Sequence, residues 1–511
     1  KMIKNFVQNN KLAIAFFAIY FLVGCFVFSD YGSGWDEEAQ RITNGKANVD
    51  YVATGNVENI TQYGDLYHGP IWEMILYAAE VILNIKTPAN IYALRHFLNF
   101  TLFFIGVLFL FITLVKLNIN KTLSFLGCLF YILMPRIFEE SFVNSKDTTF
   151  LSVITISYYF LFNWIEKKTH KTLILYSIVC AFAIAIRITA VIVPVFSILI
   201  YFINSKSKID ALKKTSLYLV LTYVFMVLFW PFLWASPIQH FIDAFASMKK
   251  FGWGGMNFYF GEQVWSMNLP WHYLPSWFII STPVFLTLIF LGSIFVILNV
   301  VFKQLVNTKT IDFSSTFYLY MLALFFAPIV MVIVFNSCVY DGWRHIFFVA
   351  SPFIVSIVIG LHLLFKTEFF KQQIIKGAAY IVLFFCASYL LYWNVKNHPY
   401  QNVYFNFVTN YAFDGRKTFE LDYWGVSYKQ GLEKLIALDK NDTLIYSASN
   451  YPGYQAKFAI RENRQTMFVD SAHKANYFLS NYRWHPENYP YKKIDSIMVD
   501  GYEIMGIYKV K

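Results

Sequence analysis

Long apolar stretches alternate with short polar segments over most of the chain. Stretches of this kind, folded as helices, cross a hydrocarbon core about 30 Å thick. The first follows Lys11 and continues to about Phe28 without a small-residue cleavage site, which predicts a retained span rather than a removed signal peptide. The pattern predicts eleven spans in all, the others at about 95–115, 122–135, 149–165, 172–186, 188–203, 216–235, 277–301, 316–335, 346–365 and 377–394.

Lysines concentrate in alternate loops between the predicted spans. By the positive-inside rule, these lysine-rich loops and the N-terminus are cytoplasmic. The set comprises Lys116, Lys121, Lys167, Lys168, Lys171, Lys206, Lys208, Lys213, Lys214, Lys303, Lys309, Lys366, Lys371 and Lys376. The remaining loops face outward, and they include two long ones, at about 30–94 and 236–276, and the polar segment from about 396.

The apolar segment 71–85 follows Gly69-Pro70 and is too short to span a membrane comfortably. It also contains Glu73 and Glu80. We interpret it as an interfacial helix that lies along the outer leaflet. Counting it as a span would reverse every later loop and place the lysines outside.

The segment after about Asn397 has shorter apolar runs and clear turn signals. Residues 427–438 have helical periodicity, and residues 443–447 and 465–469 have the pattern of short strands. Asp500-Gly501 is a strong signal for a two-residue turn and predicts a closing hairpin. The chain is therefore expected to have a mainly α, polytopic membrane domain at 1–395 and a small extracytoplasmic α/β domain at 396–511.

The composition agrees with this interpretation. Of 511 residues, 57% are hydrophobic and only 14% are charged, against about 25% in ordinary soluble proteins. This excludes a soluble globular enzyme and a disordered chain. The net charge of +11 does not indicate a nucleic-acid partner, because the lysines serve as topology signals and no basic segment is interleaved with aromatic residues. The five cysteines have no metal-ligand spacing and imply no disulfide framework.

Every arginine falls on the predicted outer side, against the orientation rule. Arginine binds phosphate through two parallel hydrogen bonds, whereas lysine acts as a point charge. Arginines collected at one membrane face therefore suggest a bound anionic lipid headgroup, although some of them are equally explained as interfacial anchors. They are Arg41, Arg95, Arg136, Arg187, Arg344, Arg416, Arg461, Arg464 and Arg483.

Two acidic motifs lie on the same outer face. Asp36-Glu37-Glu38 follows the first span, and Glu139-Glu140 with Asp147 follows the third. A carboxylate near the hydrocarbon boundary loses hydration, so it is either paired or used as a proton acceptor. Carboxylates that face arginines are the groups needed to move a sugar from a lipid phosphate carrier, since a base activates the acceptor and cations receive the charge on the leaving phosphate.

Four motifs follow one another along the outer face: Asp36-Glu37, Tyr67-His68-Gly69-Pro70, Arg95 and Asn144-Ser145-Lys146-Asp147. In this order they resemble the GT-C superfamily of membrane glycosyltransferases. The similarity is greatest to the branch of protein O-mannosyltransferases and aminoarabinose transferases, glycosyltransferase family 39. Tyr340 to His345, His398 to Asn406 and Glu420 to Gly425 resemble a bacterial subgroup of that family, so the similarity extends into the C-terminal segment.

The resemblance implies an inverting transferase that uses a polyprenyl-phosphate sugar. By match to the motifs, Asp36 would be the catalytic base with Glu37 as its neighbour, and Asp147 would orient the acceptor or the base. Arg344, with His345 beside it, would bind the carrier phosphate. The family's commoner His-Pro-Pro arrangement reads His-Gly-Pro here, at His68.

Other residues are candidates with competing explanations. Lys146 would bind phosphate or neutralise Asp147, and Arg187 would bind phosphate or form a buried ion pair. Trp253 and Gln263 lie in an aromatic, glycine-rich loop that also contains Lys249 and Lys250. This loop would close over a sugar, or its aromatic residues would belong to an interfacial belt. Further substrate-binding candidates are Tyr67, His68 and Arg95.

The predicted function is sugar transfer from a polyprenyl-phosphate donor to a hydroxyl of a protein, lipid or surface glycan, on the outer side of a bacterial inner membrane. Transfer of a whole lipid-linked oligosaccharide is an open alternative, because it needs the same base and cations. A proton-coupled transporter or lipid flippase would require acids within the spans and two related halves. His68, His96 and His345 have no recognisable ligand spacing, so no metal ligand is assigned, and a catalytic divalent ion stays open.

Overall fold

The computed structural model describes residues 11–250, 252–461 and 464–511. The first helices are α1 (Lys11–Val27), α2 (Glu37–Gln40), a π-helical segment (Arg41–Lys46), α3 (Ala47–Thr54), α4 (Glu58–Tyr63), α5 (Ile71–Ile82), α6 (Pro88–Lys116), α7 (Lys121–Leu133) and α8 (Pro135–Val143). They continue as α9 (Asp147–Lys167), α10 (His170–Ile184), α11 (Ile192–Ile203), α12 (Lys208–Phe229), α13 (Pro237–Lys250), α14 (Tyr273–Ser281), α15 (Val284–Thr308), α16 (Phe313–Val334), α17 (Ala350–Leu364), α18 (Glu368–Lys371) and α19 (Gln373–Lys396).

The C-terminal segment contains shorter helices and most of the strands. Its helices are α20 (Phe407–Ala412), α21 (Gly415–Thr418), α22 (Ser427–Leu438) and α23 (Pro452–Ala459). The strands of the chain are β1 (Met256–Tyr259), β2 (Glu262–Trp265), β3 (Thr443–Ala448), β4 (Gln465–Phe468), β5 (Tyr477–Ser480), β6 (Lys492–Val499) and β7 (Tyr502–Lys509). Short 3-10 helices cover Ile188–Val191, Pro231–Trp234, Arg344–Val349, Gln401–Val403 and Ala472–Lys474.

Seven helices in the described ranges are long and apolar enough to cross a membrane, or eight if the bent pair α7–α8 counts as one span. The other three predicted spans coincide with shorter apolar helices: Lys11–Val27, His170–Ile184 and Ile188–Ile203. Every predicted span therefore corresponds to a helix, and the mainly α, multi-span fold class is confirmed. Segment 71–85 forms α5, whose 12 residues are fewer than those of any of these spans when the bent pair α7–α8 is counted as one span.

A proline breaks the third predicted span. α7 and α8 meet at a bend of 65°, between Leu133 and Pro135. Pro135 occupies the first turn of α8, where its missing N–H is harmless, and Met134 before it is extended, as residues before proline usually are. The bend turns α8 back into the protein, and all nine of its residues, including Glu139 and Glu140, are buried.

Two helices form the centre of the bundle. In α9 and in the helical segment Arg344–Leu364, 89% of the most apolar window is buried, against 22% for α12 and 17% for α19. The polar residues at the ends of the two central helices, Asp147 and Arg344, are therefore held inside the protein, whereas α12 and α19 have faces available to lipid.

The C-terminal segment folds around a five-stranded sheet with the order β4-β3-β5-β7-β6. β3 is parallel to β4 and β5, while β7 is antiparallel to β5 and β6. The predicted helix 427–438, the two early strands and the hairpin at Asp500-Gly501 are confirmed. The sequence did not predict α23 or β5, which is four residues long and lies in the middle of the sheet.

The two long loops that were predicted to face outward also have regular structure. Loop 30–94 contains α2 to α5, and loop 236–276 contains α13 and the antiparallel hairpin β1–β2. Leu435 and Ile507 of the C-terminal segment belong to the same apolar core as Phe142 of α8. The core therefore runs without interruption from the helices into the sheet, and the domain boundary at 395/396 stays a prediction.

We expect Gly69→Ala to lower the thermal unfolding midpoint of the protein in detergent. A methyl group at this position would overlap the backbone carbonyl of Ala185 at the end of α10. Overpacking of this kind costs about 1–3 kcal/mol. Gly377→Ala is the control, because a Cβ at this position in α19 meets no atom within 4 Å and alanine favours the helix. Equal midpoints for the two variants would contradict the prediction.

Candidate functional site

The guanidinium group of Arg344 lies among three carboxylates from different parts of the chain. Its Nη1 is 3.3 Å from Asp36 Oδ2 and 3.7 Å from Asp147 Oδ2, and its Nε is 3.2 Å from Asp341 Oδ2. The Arg344 side chain is only 5% exposed. A buried cation is stable only when it is paired, so these contacts fix the relative positions of the three segments.

These residues stand at the ends of helices. Asp36 immediately precedes α2, Asp147 is the first residue of α9, and Arg344 begins the central segment Arg344–Leu364. A carboxylate in the first turn of a helix is stabilised by the partial positive charge of that terminus, as Asp147 is in α9. Residues that are more than 300 positions apart in sequence thus meet at one end of the bundle.

Arg187 is the second arginine of the cluster. It has an extended backbone between α10 and the segment Ile188–Val191, and its guanidinium forms an ion pair with Asp147 Oδ1. Asp147 is 1% exposed and also accepts a hydrogen bond from Asn144 Nδ2 at 3.0 Å. It therefore bridges Arg187 and Arg344, one through each oxygen.

Lys146, Asp65 and His68 form a second charged group beside the first. Lys146 Nζ is 4.0 Å from Asp65 Oδ2, and the imidazole of His68 contacts the same carboxylate at 2.7 Å. The His68 contact and the Lys146 ammonium hold the pKa of Asp65 down, at about 2, although burial opposes them. The Lys146 ammonium, and then burial, lower the pKa of His68, so this imidazole is neutral near pH 7.

Aromatic rings enclose the arginines of the site. The Arg344 guanidinium carbon is 4.8 Å from the ring centres of both Tyr340 and Trp424. Arg483 lies over Trp35 at 4.7 Å and Trp484 at 4.5 Å. Contacts between a cation and an aromatic face are strengthened where water is excluded. The site therefore takes Trp424, Arg483 and Trp484 from the C-terminal segment.

Glu140 in α8 joins the C-terminal segment to this cluster. Its carboxylate accepts hydrogen bonds from Tyr423 Oη at 2.5 Å, Trp424 Nε1 at 2.7 Å and Asn144 Nδ2 at 2.8 Å. Asn144 also donates to Asp147. The buried Glu140 therefore positions both the ring that lies against Arg344 and the amide that holds Asp147.

Two of the sequence-predicted residues, Glu37 and Arg95, pair with buried residues outside the Arg344 cluster. The Glu37 carboxylate accepts a hydrogen bond from Gly34 N at 2.8 Å and contacts His96 Nε2 at 3.1 Å, and it is buried. Arg95 is fully buried and pairs with Glu73 at 2.6 Å. Glu73 also accepts a hydrogen bond from Ser145 Oγ. The structure thus places Glu37 and Arg95 as supports of the first loop and of the 144–147 turn.

The remaining candidates are spread around the site. The ring centre of Tyr340 lies 4.5 Å from that of His345 and 4.4 Å from that of Trp253. Tyr67 is 38% exposed and packs edge-on against Phe232. Gln263 is exposed and donates to Trp484 O at 3.4 Å. Trp253 therefore lies within the aromatic enclosure, while Tyr67 and Gln263 lie at its margin.

Sequence reasoning did not assign roles to Asp341, Arg483, Trp424, Asp65 or Glu140. Asp341 and Trp424 lie in segments that carried the resemblance to the bacterial subgroup, and that was their only signal. Arg483 was counted among the outer arginines without a partner. Within the residues that the structure describes, no three His, Cys, Asp or Glu side chains are arranged to hold a metal ion.

Part of the chain is similar to a known protein family. Residues 74–234 match the family model described as dolichyl-phosphate-mannose-protein mannosyltransferase. The match covers Lys146, Asp147 and Arg187, and it excludes Asp36 and Arg344. The resemblance to GT-C membrane glycosyltransferases that the sequence predicts is therefore confirmed. No curated protein matches the chain by sequence.

Solved structures resemble the fold loosely. A crystal structure of ArnT from Cupriavidus metallidurans bound to undecaprenyl phosphate is 11% identical with a TM-score of 0.49, and the alignment covers 98% of each chain. The oligosaccharyltransferase AglB from Archaeoglobus fulgidus, in complex with an inhibitory peptide and a dolichol-phosphate, is 11% identical with a TM-score of 0.46. That alignment covers 88% of this chain and 66% of the archaeal one. TM-scores below 0.5 say nothing of mechanism.

We expect Lys146→Met to raise the pKa of His68. The ammonium is the largest cause of the lowered value, and Asp65, which favours the protonated imidazole, stays in contact after the substitution. The titration is followed by NMR of ¹³C-labelled histidine, with the His68 signal assigned by its loss in His68→Gln. Lys429→Met removes a lysine that contacts the backbone of Ser29 and is the control. An unchanged His68 titration in Lys146→Met would contradict this description.

Proposed function

We propose that the protein is an inverting glycosyltransferase that moves a sugar from a polyprenyl-phosphate carrier to an acceptor hydroxyl. The observation that carries the proposal is the pairing of Asp36 with the buried guanidinium of Arg344 at 3.3 Å. A general base and a phosphate-binding cation must share one site, because the proton leaves the acceptor and the charge reaches the phosphate within one displacement. The match to a family described by dolichyl-phosphate-mannose supports this class of donor.

Asp36 is the best placed of the three carboxylates to act as the base. Its side chain is 33% exposed, whereas Asp147 is 1% and Asp341 is 6% exposed. A base must reach the proton that it removes, so the two buried carboxylates are better suited to holding the arginines. Asp147 then orients Arg187 and Arg344.

Arg344, Arg187 and Lys146 are the cations proposed for the carrier phosphate. Two of them are arginines, whose planar groups bind two phosphate oxygens at once. Asp147 pairs with both arginines, and the ammonium of its neighbour Lys146 lies 4.0 Å from Asp65. His68, whose imidazole is neutral near pH 7, and His345 lie near the same group and would form hydrogen bonds with the substrate.

The proposed reaction is a single in-line displacement. The acceptor hydroxyl transfers its proton to Asp36 while its oxygen attacks the anomeric carbon. The bond between that carbon and the phosphate oxygen breaks, the oxygen keeps the electron pair, and the configuration of the sugar is inverted. The released polyprenyl phosphate gains negative charge, which Arg344 and its neighbours stabilise.

We place the site on the outer side of a bacterial inner membrane, with residues 396–511 outside. Asp36, Asp147, Arg187 and Arg344 all come from the side of the bundle opposite the lysine-rich loops. Their proximity supports a common side for these four helix ends, and the positive-inside rule favours the lysines as cytoplasmic. The acceptor class consists of hydroxyls of a protein, a lipid or a surface glycan.

The proposal predicts that Asp36→Asn abolishes most sugar transfer while the protein still folds. The amide keeps the shape of the side chain but cannot take up the proton, so kcat should fall by about 10²- to 10⁴-fold. Release of polyprenyl phosphate is measured with purified enzyme and a panel of polyprenyl-phosphate sugars.

The control for this experiment is Asp414→Asn, which alters an aspartate that is 52% exposed and pairs with Lys417. It should transfer sugar at the rate of the unchanged protein. Full activity in Asp36→Asn would reject Asp36 as the base. No transfer by the unchanged protein from any donor or to any acceptor class would reject the proposed function.

A second substitution tests the donor side. Arg344→Lys keeps the charge but loses the planar pair of hydrogen bonds, so KM for the donor should rise by about tenfold or more, which corresponds to about 1.4 kcal/mol. Arg464→Lys is the control, because Arg464 pairs with Asp439 within the C-terminal segment. A donor KM that is unchanged in Arg344→Lys would remove Arg344 from the proposed phosphate site.

A further inference from the structure

We propose that Arg483 of the C-terminal segment is a positioning residue for this site, which it controls through Asp341. This inference rests on the proposed function and assigns the C-terminal segment a part in it. Arg483 would set the place and the effective charge of the Arg344 guanidinium without touching the donor itself.

One carboxylate connects the two arginines. Asp341 Oδ1 is 2.5 Å from Arg483 Nη2, and Asp341 Oδ2 is 3.2 Å from Arg344 Nε. All three side chains are nearly buried, with exposures of 4%, 6% and 5% for Arg483, Asp341 and Arg344. Water therefore screens these charges little, and a change at Arg483 is felt at Arg344.

Arg483 is itself held from two sides. Its Nη1 donates to the backbone oxygen of Tyr423 at 2.6 Å, and its guanidinium carbon lies 4.7 Å from the ring centre of Trp35 and 4.5 Å from that of Trp484. Trp35 is adjacent in sequence to the proposed base Asp36. The arginine thus contacts the loop that carries the base as well as the loop that carries Asp341.

The Asp341 loop is built to present its carboxylate at this point. Asp341 has φ 58° and Gly342 has φ 70°, and an aspartate in this left-handed region persists only when its surroundings hold it there. The Asp341 N–H donates to Asn257 Oδ1 at 3.2 Å, and the Gly342 N–H donates to Tyr273 Oη at 3.2 Å. The hairpin β1–β2 and α14 therefore fix the loop independently of Arg483.

The charge balance gives Arg483 its proposed effect. Arg483, Asp341 and Arg344 together carry one net positive charge, which adds to the positive charge that a phosphate meets at this site. Without Arg483, the Asp341 carboxylate would pair only with Arg344 and would compete more strongly with the phosphate for that guanidinium. Burial raises the pKa of Glu420, the other acid near Arg483, to about 8, so that group is largely uncharged near pH 7.

The experiment compares Arg483→Gln with the double variant Arg483→Gln/Asp341→Asn in full-length protein. Donor KM and kcat are measured by release of polyprenyl phosphate. We expect donor KM to rise about tenfold in Arg483→Gln, the size of coupling found within buried charge networks, with a smaller change in kcat. The second substitution restores the net charge, so donor KM should return most of the way.

Arg464→Gln is the matched control, since it removes another arginine pair of the C-terminal segment and should leave donor KM unchanged. An unchanged donor KM in Arg483→Gln, or a double variant that is no better than the single one, would overturn the inference while the proposed function stands. Transfer that is absent even in the unchanged protein would overturn both.

Arg483→Lys extends the test if Arg483→Gln does not fold. Lysine keeps the charge but replaces the two separate guanidinium contacts, to Tyr423 O and to Asp341, by a single ammonium. We expect a donor KM between those of the unchanged protein and Arg344→Lys. Because lysine keeps the charge balance, a donor KM as high as that of Arg344→Lys would overturn the inference.

Discussion

The structure depends on one buried guanidinium group. Arg344 begins the most enclosed part of the bundle, where an unpaired charge would be strongly destabilising. Asp36, Asp147 and Asp341 satisfy it, and they come from the first loop, the start of α9 and the loop before Arg344 itself. Pairing this one cation therefore brings three separate segments to the same point, which is the point where the proposed chemistry needs them.

A similar constraint explains why the C-terminal segment is joined to the helices. The proline-bent α8 buries Glu139 and Glu140 inside the protein, and both need hydrogen-bond donors. Asn402 N supplies one for Glu139 at 2.7 Å, and Tyr423 and Trp424 supply two for Glu140. Removing the C-terminal segment would leave these carboxylates without those donors, so the helices and the C-terminal segment stabilise each other.

Hydropathy predicted the helices because lipid-facing and buried helices share long apolar runs, as the agreement of every predicted span with a helix indicates. Asp36, Asp147 and Arg344 were recognisable because acids and arginines collect on one predicted face and because the resemblance to GT-C transferases assigns roles to these three positions. The ion-pair partners of the charged residues could not be predicted from the sequence. Arg95 pairs with Glu73, and Arg483 with Asp341, 142 positions away, and no local pattern records such a pairing. Likewise β5, buried between β3 and β7, lacks the polar alternation of an exposed strand.

The paired state of Arg344 has a consequence for the order of the proposed steps. A donor phosphate must replace at least part of the carboxylate shell around this cation. Asp147 and Asp341 are buried and each is held by a second arginine, whereas Asp36 is the most exposed of the three and, among the described residues, forms an ion pair only with Arg344. Asp36 is thus the carboxylate that a phosphate displaces at least cost. Binding of the donor would therefore release the Asp36 carboxylate from Arg344 and leave it free to face the acceptor hydroxyl.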